Sequence, residues 1–398
     1  MEIRTLTEND REVCRKLMRY AFQTFENSYE NLEWPQDSLP MDSYIGAFEK
    51  DLLFACVGII PFDIRMRSRD FKMGGVMGVA TKPEYRNSGI IRDIMIRCFK
   101  DMNINNIPIS VLYPFKYSFY EMLGYKLVDE RVFYHFKISD IKYKETNYSM
   151  KEVERITDDF RKVYDEVVMN FDYIAKRPMI ENWRTYFKDN FKFICYNGDQ
   201  PVGYVIIRFA QRSLIGQEWV KNPEKTITIL EVFWLDKIAE QTIFNFLWSH
   251  RDQRKYIAGF FPVNENIIDL LETPRIKERY IGSNSMLRII NIKTVLENLR
   301  YCKDNFSILI NIHDEFCPWN DGYFTLSSND KKIEVKYEET SKKDVDLEID
   351  IGYFSQLVAG FRTIKNLLEF DFIYVNKNKI ELLQELFPLT NNYFRDFF

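Results

Sequence analysis

One run of fourteen residues constrains this chain more than any other: Val79-Ala80-Thr81-Lys82-Pro83-Glu84-Tyr85-Arg86-Asn87-Ser88-Gly89-Ile90-Ile91-Arg92. A strand rich in small residues, Gly74 to Thr81, leads into Pro83, which has no N–H for a ladder and ends it. The glycines of that strand leave room for a bulge or for close approach by another chain. The apolar period then changes. Ile91, Ile94, Met95, Cys98 and Phe99 fall on one helical face, which predicts a helix from about Ile90 to Asn103. Arg86-x-x-Gly89 stands at the corner. Physically this is an anion site, because the first helical turn has unpaired N–H groups and the positive end of the macrodipole. Gly89 lets the backbone come close to a pyrophosphate, and Arg86 and Arg92 add charge. An ordinary strand–loop–helix joint with exposed arginines explains the same residues, and the segment alone does not choose.

The flanking sequence places this joint in an α/β unit. Residues 52–60 read as a buried strand, Phe62 to Arg67 as a second and Ile109 to Tyr113 as a later one. A short helix from Tyr117 to Leu123 stops at Gly124, a residue suited to the position after a helix end. Residues 139–156 are charged and poor in large apolar residues, which marks a border. A second unit comes next with the same order of elements: a hairpin from Phe193 to Phe209 resembling that of 52–67, a strand from Thr226 to Leu235, a helix from Ile238 to Trp248, a strand from Tyr256 to Phe261, and a helix from Glu265 to Leu271. It reads as a degenerate internal repeat. A third unit begins near Met286 with a helix over Ile292 to Asn298 and several alternating strands. Asp344, Asp346, Glu348 and Asp350 alternate with apolar residues, so period two puts the four acids on one face. A metal site is conceivable there; a solvated face opposite the lysines around Lys331, Lys332 and Lys336 is the favoured reading.

Composition narrows the function. A length of 398 residues suggests two or three domains. Aromatics at 16% favour packed cores over disorder, and a net charge of −4 argues against a large nucleic-acid footprint. No run approaches a membrane span, and the N-terminus has no apolar core of signal-peptide length, so a cytoplasmic protein is expected. Six cysteines without a CxxC read as reduced thiols, and three scattered histidines make a zinc site improbable. Nucleotide-binding P-loop, GxSxG and dinucleotide fingerprints do not occur.

The chain resembles the GCN5-related N-acetyltransferases (GNAT), whose cofactor motif Arg/Gln-x-x-Gly-x-Gly/Ala is matched by Arg86-x-x-Gly89-x-Ile91, without the final small residue. It looks most like the "enhanced intracellular survival" (Eis) acetyltransferases of bacteria. Gly74-Gly75-Val76-Met77-Gly78-Val79 supports this, as do Leu112-Tyr113-Pro114-Phe115 followed by Phe119-Tyr120-Glu121-Met122-Leu123-Gly124-Tyr125, and Phe316-Cys317-Pro318-Trp319-Asn320-Asp321-Gly322-Tyr323. The resemblance implies an α+β chain: a catalytic acetyltransferase domain over 1–145, a degenerate second copy over 146–285 and a sterol-carrier-like α/β domain over 286–398. It implies acetyl-CoA as cosubstrate and no metal, with the coenzyme along Val79, Ala80, Thr81, Arg86, Asn87, Ser88, Gly89, Ile90, Ile91 and Arg92.

The resemblance further implies that Tyr120 is the general acid and that the carboxylate of Phe398 is the general base. On composition alone, Tyr120 is one of 24 tyrosines packing beside Phe119, and a terminal helix docked by its phenylalanines accounts for the aromatic tail equally well. Phe22, Phe25, Glu26 and Trp34, with Glu30 and Glu33, form an aromatic and acidic segment. It suits a cationic amine or a plain solvated helix face. By resemblance the acceptor is the primary amine of an aminoglycoside, a polyamine or a lysine-like molecule, and the chain is a homo-oligomer, a trimer or hexamer, without nucleic-acid or membrane partners. The second unit has Trp234-Leu235-Asp236-Lys237 where the coenzyme loop would stand and reads as non-catalytic. Two alternatives remain: another tandem acyl- or aminoacyltransferase, against which the third unit speaks, and a non-enzymatic binding or scaffold protein.

Overall fold

The structure, a computed structural model, describes residues 1–22, 39–177, 187–209, 214–215, 218–219 and 223–396. The chain forms two compact units. One holds Met1–Val128, Ser285–Thr390 and the end of the chain from Phe394; the other holds Asp129–Asn284 and Asn391–Tyr393.

In the first unit, β1 (Glu2–Thr5), α1 (Arg11–Ala21), β2 (Tyr44–Glu49), β3 (Leu52–Met66), β4 (Arg69–Thr81), α2 (Ile90–Ile104), β5 (Ile109–Leu112), α3 (Tyr117–Glu121) and β6 (Lys126–Leu127) succeed one another in order. The sheet runs β1-β2-β3-β4-β5, then the strand Met286–Ile289, then β6. Among the strand pairs whose register is described in this sheet, β4 with β5 is the parallel one. A parallel pair needs a crossover, and α2 supplies it. Ile90, Ile94, Met95, Cys98, Phe99 and Met102 are buried in the core against the sheet. Their spacing makes the apolar stripe that a sheet-covering helix needs.

The two strands expected over 52–67 are one strand of 15 residues. Pro61 does not split it, because β2 ends its pairing at Gly58 and loses no bond to the missing N–H. β3 returns into β4 through Arg67 and Ser68, whose φ values of 47° and 58° suit a two-residue hairpin turn.

The rest of this unit is a second sheet, in the order Lys332–Glu338, Gly322–Asn329, Phe306–His313, Leu347–Asp350, Ile373–Val375. The lysine strand thus lies several strands away from the acids, not opposite them. Only Glu348 and Asp350 fall within the strand. Asp346 accepts from Leu309 N at 2.9 Å, Glu348 pairs with His313 at 2.8 Å, and Asp350 caps the next helix through Gly352 N at 2.7 Å. Among the described residues no cluster of metal-binding side chains occurs.

The second unit has the sheet order Glu278–Ser283, Glu130–Lys137, Tyr256–Pro262, Thr226–Trp234, Gln200–Arg208, Phe191–Asn197, Ser149–Val153. Its one described parallel pair, Thr226–Trp234 with Tyr256–Pro262, is again bridged by a helix, Lys237–Trp248. By position in the sheet, the hairpin of Phe191–Asn197 and Gln200–Arg208 matches β2–β3 rather than residues 52–67. The helix expected over Glu265 to Leu271 is a single 3₁₀ turn, Ile267–Leu270.

Candidate active site

The joint read from the sequence lies where two strands part. β4 pairs with β3 down its length but slips once: Gly58 faces Met77 and Cys56 faces Ala80. One residue of β3, Val57, therefore spans two of β4, Gly78 and Val79, which is a β-bulge. Gly78 has φ +56°, a conformation that favours glycine. On its other edge β4 pairs with β5 only from Met73–Ile109 to Val76–Leu112. Beyond that pair, among the described residues, no strand continues the ladder along Met77 to Thr81. The bulge bends β4 at the residues where β5 leaves it, so Val79, Ala80 and Thr81 keep an edge for a ligand that pairs like a strand.

The turn after β4 is pinned from below. Lys82 N donates to Phe54 O at 2.8 Å, Tyr85 stacks on Phe54 at 4.2 Å, and its hydroxyl donates to Glu49 at 2.8 Å. Ser88 Oγ donates to Tyr85 O at 2.7 Å. Asn87 and Gly89 take φ of 62° and 82°. Gly89 is the N-cap of α2 and offers no side-chain acceptor to the first turn. A Cβ placed on it would meet only the Arg92 guanidinium, at 3.4 Å. The opening N–H groups of α2 thus face an uncapped corner, the arrangement that binds phosphates. Arg86 Nε lies 3.4 Å from Thr81 O and Arg92 Nε 3.6 Å from Asp93, both arginines exposed. Ile90 is buried and Ile91 packs partly against the same core.

Tyr120 sits in α3, only 2% exposed. Its ring centroid is 5.1 Å from Phe119, 5.5 Å from Phe115 and 6.1 Å from Tyr125. It shares a core with Val76 and Leu112, the last pair of the β4–β5 ladder, and with Ile90 at the start of α2. Among the described residues its hydroxyl has no hydrogen-bond partner. Burial pushes its pKa up, so the phenol keeps its proton at neutral pH.

The tail reaches the same end of β5. Tyr113, directly after Leu112, donates from its hydroxyl to Asp396 O at 2.7 Å, and its ring lies 6.2 Å from Phe394. Phe394 is fully buried. No helix forms over 391–396, contrary to the docked-helix alternative. Phe397 and Phe398 lie outside the described residues, as do Phe25, Glu26, Glu30, Glu33 and Trp34. Phe22 is described: it directly succeeds α1 and is 44% exposed. The structure therefore brings together the loop residues 79–81 and 86–92, Tyr120 and the approach to the chain end.

Two residues carry no functional signal of their own in the sequence. Tyr113 stands inside a quoted motif, yet only the fold reveals its bond to Asp396. Arg288 is fully buried beside the helix of Tyr120. A charge inside the apolar run Met286-Leu287-Arg288-Ile289-Ile290 was the available clue, since a buried arginine demands partners.

Comparison with known proteins accords with this geometry. Residues 2–128 and 175–289 each match a family described as an acetyltransferase (GNAT) domain, and residues 292–395 match a sterol carrier protein domain. An uncharacterized N-acetyltransferase of Streptomyces avermitilis is 20% identical over 355 residues, covering 83% of each chain. Among solved structures, a GCN5-related N-acetyltransferase from Anabaena variabilis superposes with a TM-score of 0.85 at 18% identity, covering both chains fully. A probable N-acyltransferase from Enterococcus faecalis gives 0.83 at 22% over 100% of this chain and 99% of that one. Eis1 from Mycobacterium abscessus gives 0.79 at 16% over both whole chains. The non-enzymatic alternative falls away: the chain is an acyltransferase of the GCN5-related N-acetyltransferase superfamily, with two such domains followed by a sterol carrier protein domain.

Proposed function

We propose that this enzyme moves an acetyl group from acetyl-CoA to a primary amine of a cationic small molecule, such as an aminoglycoside, a polyamine or a lysine-like compound, in the manner of the Eis-type acetyltransferases. One observation carries the proposal. The open edge of β4, the uncapped start of α2, the buried phenol of Tyr120 and the approach to the chain end all adjoin the last β4–β5 pair.

Acetyl-CoA, when bound, supplies an activated acetyl thioester. The backbone of Val79, Ala80 and Thr81 holds the pantetheine arm as a strand would. Arg86, Asn87, Ser88, Gly89, Ile90, Ile91 and Arg92 receive the pyrophosphate at the head of α2. Phe22, Phe25, Glu26 and Trp34 orient the amine, with Glu26 favouring its cationic form. The Phe398 carboxylate takes the ammonium proton, and the freed amine attacks the thioester carbonyl to form the C–N bond. The C–S bond breaks as the adduct collapses, and Tyr120 gives its proton to the departing thiolate and regains one as the amide nitrogen sheds its second proton. A phenol that burial keeps protonated suits that role.

The functional partition proposed is 1–145, 146–285 and 286–398, with one strand exchanged across each border: Glu130–Lys137 lies in the sheet of the second unit and Met286–Ile289 in the sheet of β1 to β6. The second copy is taken as non-catalytic. A cytoplasmic homo-oligomer without metal, nucleic-acid or membrane partners completes the proposal. Among the described residues no helix is long and apolar enough to cross a membrane.

The test is calorimetry with acetyl-CoA followed by a thiol-release assay over a panel of amines, on the native chain and on Tyr120→Phe. Turnover of the variant should fall roughly 10²–10⁴-fold while acetyl-CoA still binds. Binding without thiol release on any cationic amine would refute the proposed substrate class, and unchanged turnover in Tyr120→Phe would reduce Tyr120 to a packing residue.

A further inference from the structure

We propose that Arg288 is a positioning residue for Tyr120, and that the turn from Asp314 to Gly322 in the sterol carrier domain exists in part to hold it. This rests on Tyr120 as the general acid. Arg288 lies on the strand Met286–Ile289, paired to β5 at Ser110 and wholly buried. Its Nη1 donates to Leu123 O at 2.8 Å. Its Nη2 donates to Asp314 Oδ1 at 2.6 Å and Oδ2 at 2.8 Å, and the guanidinium carbon lies 4.6 Å from the centre of the Phe99 ring.

Each end of this link is fixed. Asp314 Oδ1 also accepts the backbone N–H of Phe316 and of Cys317 at 3.1 Å. Asn320 donates to Asp314 Oδ2 at 3.1 Å and accepts from Ile292 N at 3.1 Å. Within the segment Phe316 to Tyr323, distinctive in the sequence, the backbone of Phe316 and Cys317 and the side chain of Asn320 thus cradle the carboxylate that binds the guanidinium, while Trp319 Nε1 donates to Ile290 O at 2.7 Å. At the other end, Leu123 N and Tyr125 N both donate to Tyr120 O, at 3.0 and 3.1 Å. Between them Gly124 has φ +77°, and a Cβ there would lie 1.8 Å from Arg288 Nη1. The peptide of Tyr120 and the guanidinium of Arg288 therefore grip opposite sides of the same turn.

A buried ion pair gives little stability beyond well-packed apolar groups. What it supplies here is a rigid fork with two fixed directions, one toward the cradle and one toward the end of α3. An acid must be placed to a fraction of an ångström, and a displacement of about 1 Å costs on the order of 10²-fold in rate. The chemistry at Tyr120 is then sensitive to a turn of the third domain, whose Phe316, Cys317 and Trp319 also pack in the core that holds Tyr120.

The experiment is a double-mutant cycle with Arg288→Lys and Tyr120→Phe, read by single-turnover thiol release, acetyl-CoA affinity, thermal melting and amide exchange at Leu123 to Tyr125. Lysine keeps the charge but cannot fork to Asp314 and Leu123 O together. Arg288→Lys should melt cooperatively, bind acetyl-CoA within about twofold, exchange faster at Leu123 to Tyr125, and lose roughly 10–100-fold in kcat. In the Tyr120→Phe background that loss should shrink to about twofold or less, because the group being positioned is gone. An equal loss in both backgrounds overturns the proposal, as does full activity in a variant whose turn exchanges faster. Wild-type turnover in Tyr120→Phe alone refutes the acid reading itself, a different result from an additive cycle. Should Arg288→Lys fail to fold, Asp314→Asn enters the same cycle, since it weakens the cradle and leaves the arginine in place.

Discussion

Appending residues after Phe398 is the perturbation that most sharply separates the proposed mechanism from one with a side-chain base. It turns the terminal carboxylate into an amide and moves the nearest carboxylate away. The structure bounds how little reach there is to spare. Asp396 is tied to Tyr113 at 2.7 Å, and two further residues extend at most about 7 Å. With Asp396 bound, an extension of four or five residues can return its carboxylate to the same spot only by folding back on itself, at a cost in chain entropy that the native end does not carry. The proposed coenzyme loop at 79–92 is untouched, so acetyl-CoA affinity should not change.

The rate should. A lysine-like amine with a pKa near 10.4 is neutral in only about one molecule in 2,500 at pH 7. Without a base the enzyme must wait for that fraction, and turnover should fall about 10²–10⁴-fold. The deficit should shrink about tenfold per pH unit as the pH rises toward the amine pKa. Thiol release measured from pH 6 to 10 on native and extended chains checks both size and slope. Tyr113→Phe gives a graded control. It keeps the ring against Phe394 and removes one hydrogen bond, about 0.5–1.5 kcal/mol, so its loss should not exceed roughly tenfold. An extended chain that turns over at the native rate at neutral pH refutes the terminal base, and Glu26 or a water relay would take its place.

Gly89→Glu should abolish acetyl-CoA binding in calorimetry, because it sets an acid at the anion corner. The fold should survive, at about 1–2 kcal/mol for a side chain at φ +82°. The hydrogen bond from Arg4, joined by Thr7, holds the Asp10 carboxyl well below the usual carboxylate range. Its folded pKa is depressed, so its stabilisation is present above the unfolded value near 3.9 and is lost as the pH falls below it. Asp10→Asn removes the charge that pairs with Arg4, and should lower stability by at most about 1 kcal/mol at pH 7 and flatten the acid limb of a melting-temperature profile; an unchanged acid limb would discount the pair.

The joint at 79–92 was legible because each signal is local: Pro83 ends a strand, Gly89 permits a positive φ, and the apolar period of α2 begins at once. Gly124 was legible for the same reason. The hairpin turn was not. Arg67 and Ser68 are poor residues for a positive φ, and the groups that hold them there are remote in sequence: Arg67 donates to Val358 O at 2.6 Å and to Pro388 O at 2.8 Å. That 52–67 is one strand, and that the second hairpin matches β2–β3, were not legible either, because no local signal says which edge of β3 is paired. The acids around Glu348 showed the right period, but Asp350 caps the next helix and Glu348 pairs with His313 on the neighbouring strand, roles that a period-two pattern does not encode.

On the proposed reading, the second copy keeps the frame of a coenzyme site without the site. Its parallel ladder also stops early, at Ile229–Gly259, and its two strands continue past that point. At the head of the helix Lys237–Trp248, however, Asp236 accepts from Ile238 N at 2.9 Å and Ala239 N at 2.7 Å, so a carboxylate already occupies the donors a phosphate would need. The chain also fills the place just past the ladder with its own Tyr393, whose hydroxyl donates to Phe260 O at 3.3 Å and whose ring stands 6.1 Å from Phe233. Tyr393 is 3% exposed. A pantetheine arm would have to displace a buried aromatic ring, and a pyrophosphate a bonded carboxylate. Calorimetry should therefore give one acetyl-CoA per chain, and Gly89→Glu should leave none. Two sites in the native chain, or one surviving in the variant, would mean that the second copy still binds coenzyme and that Tyr393 and Asp236 yield to it.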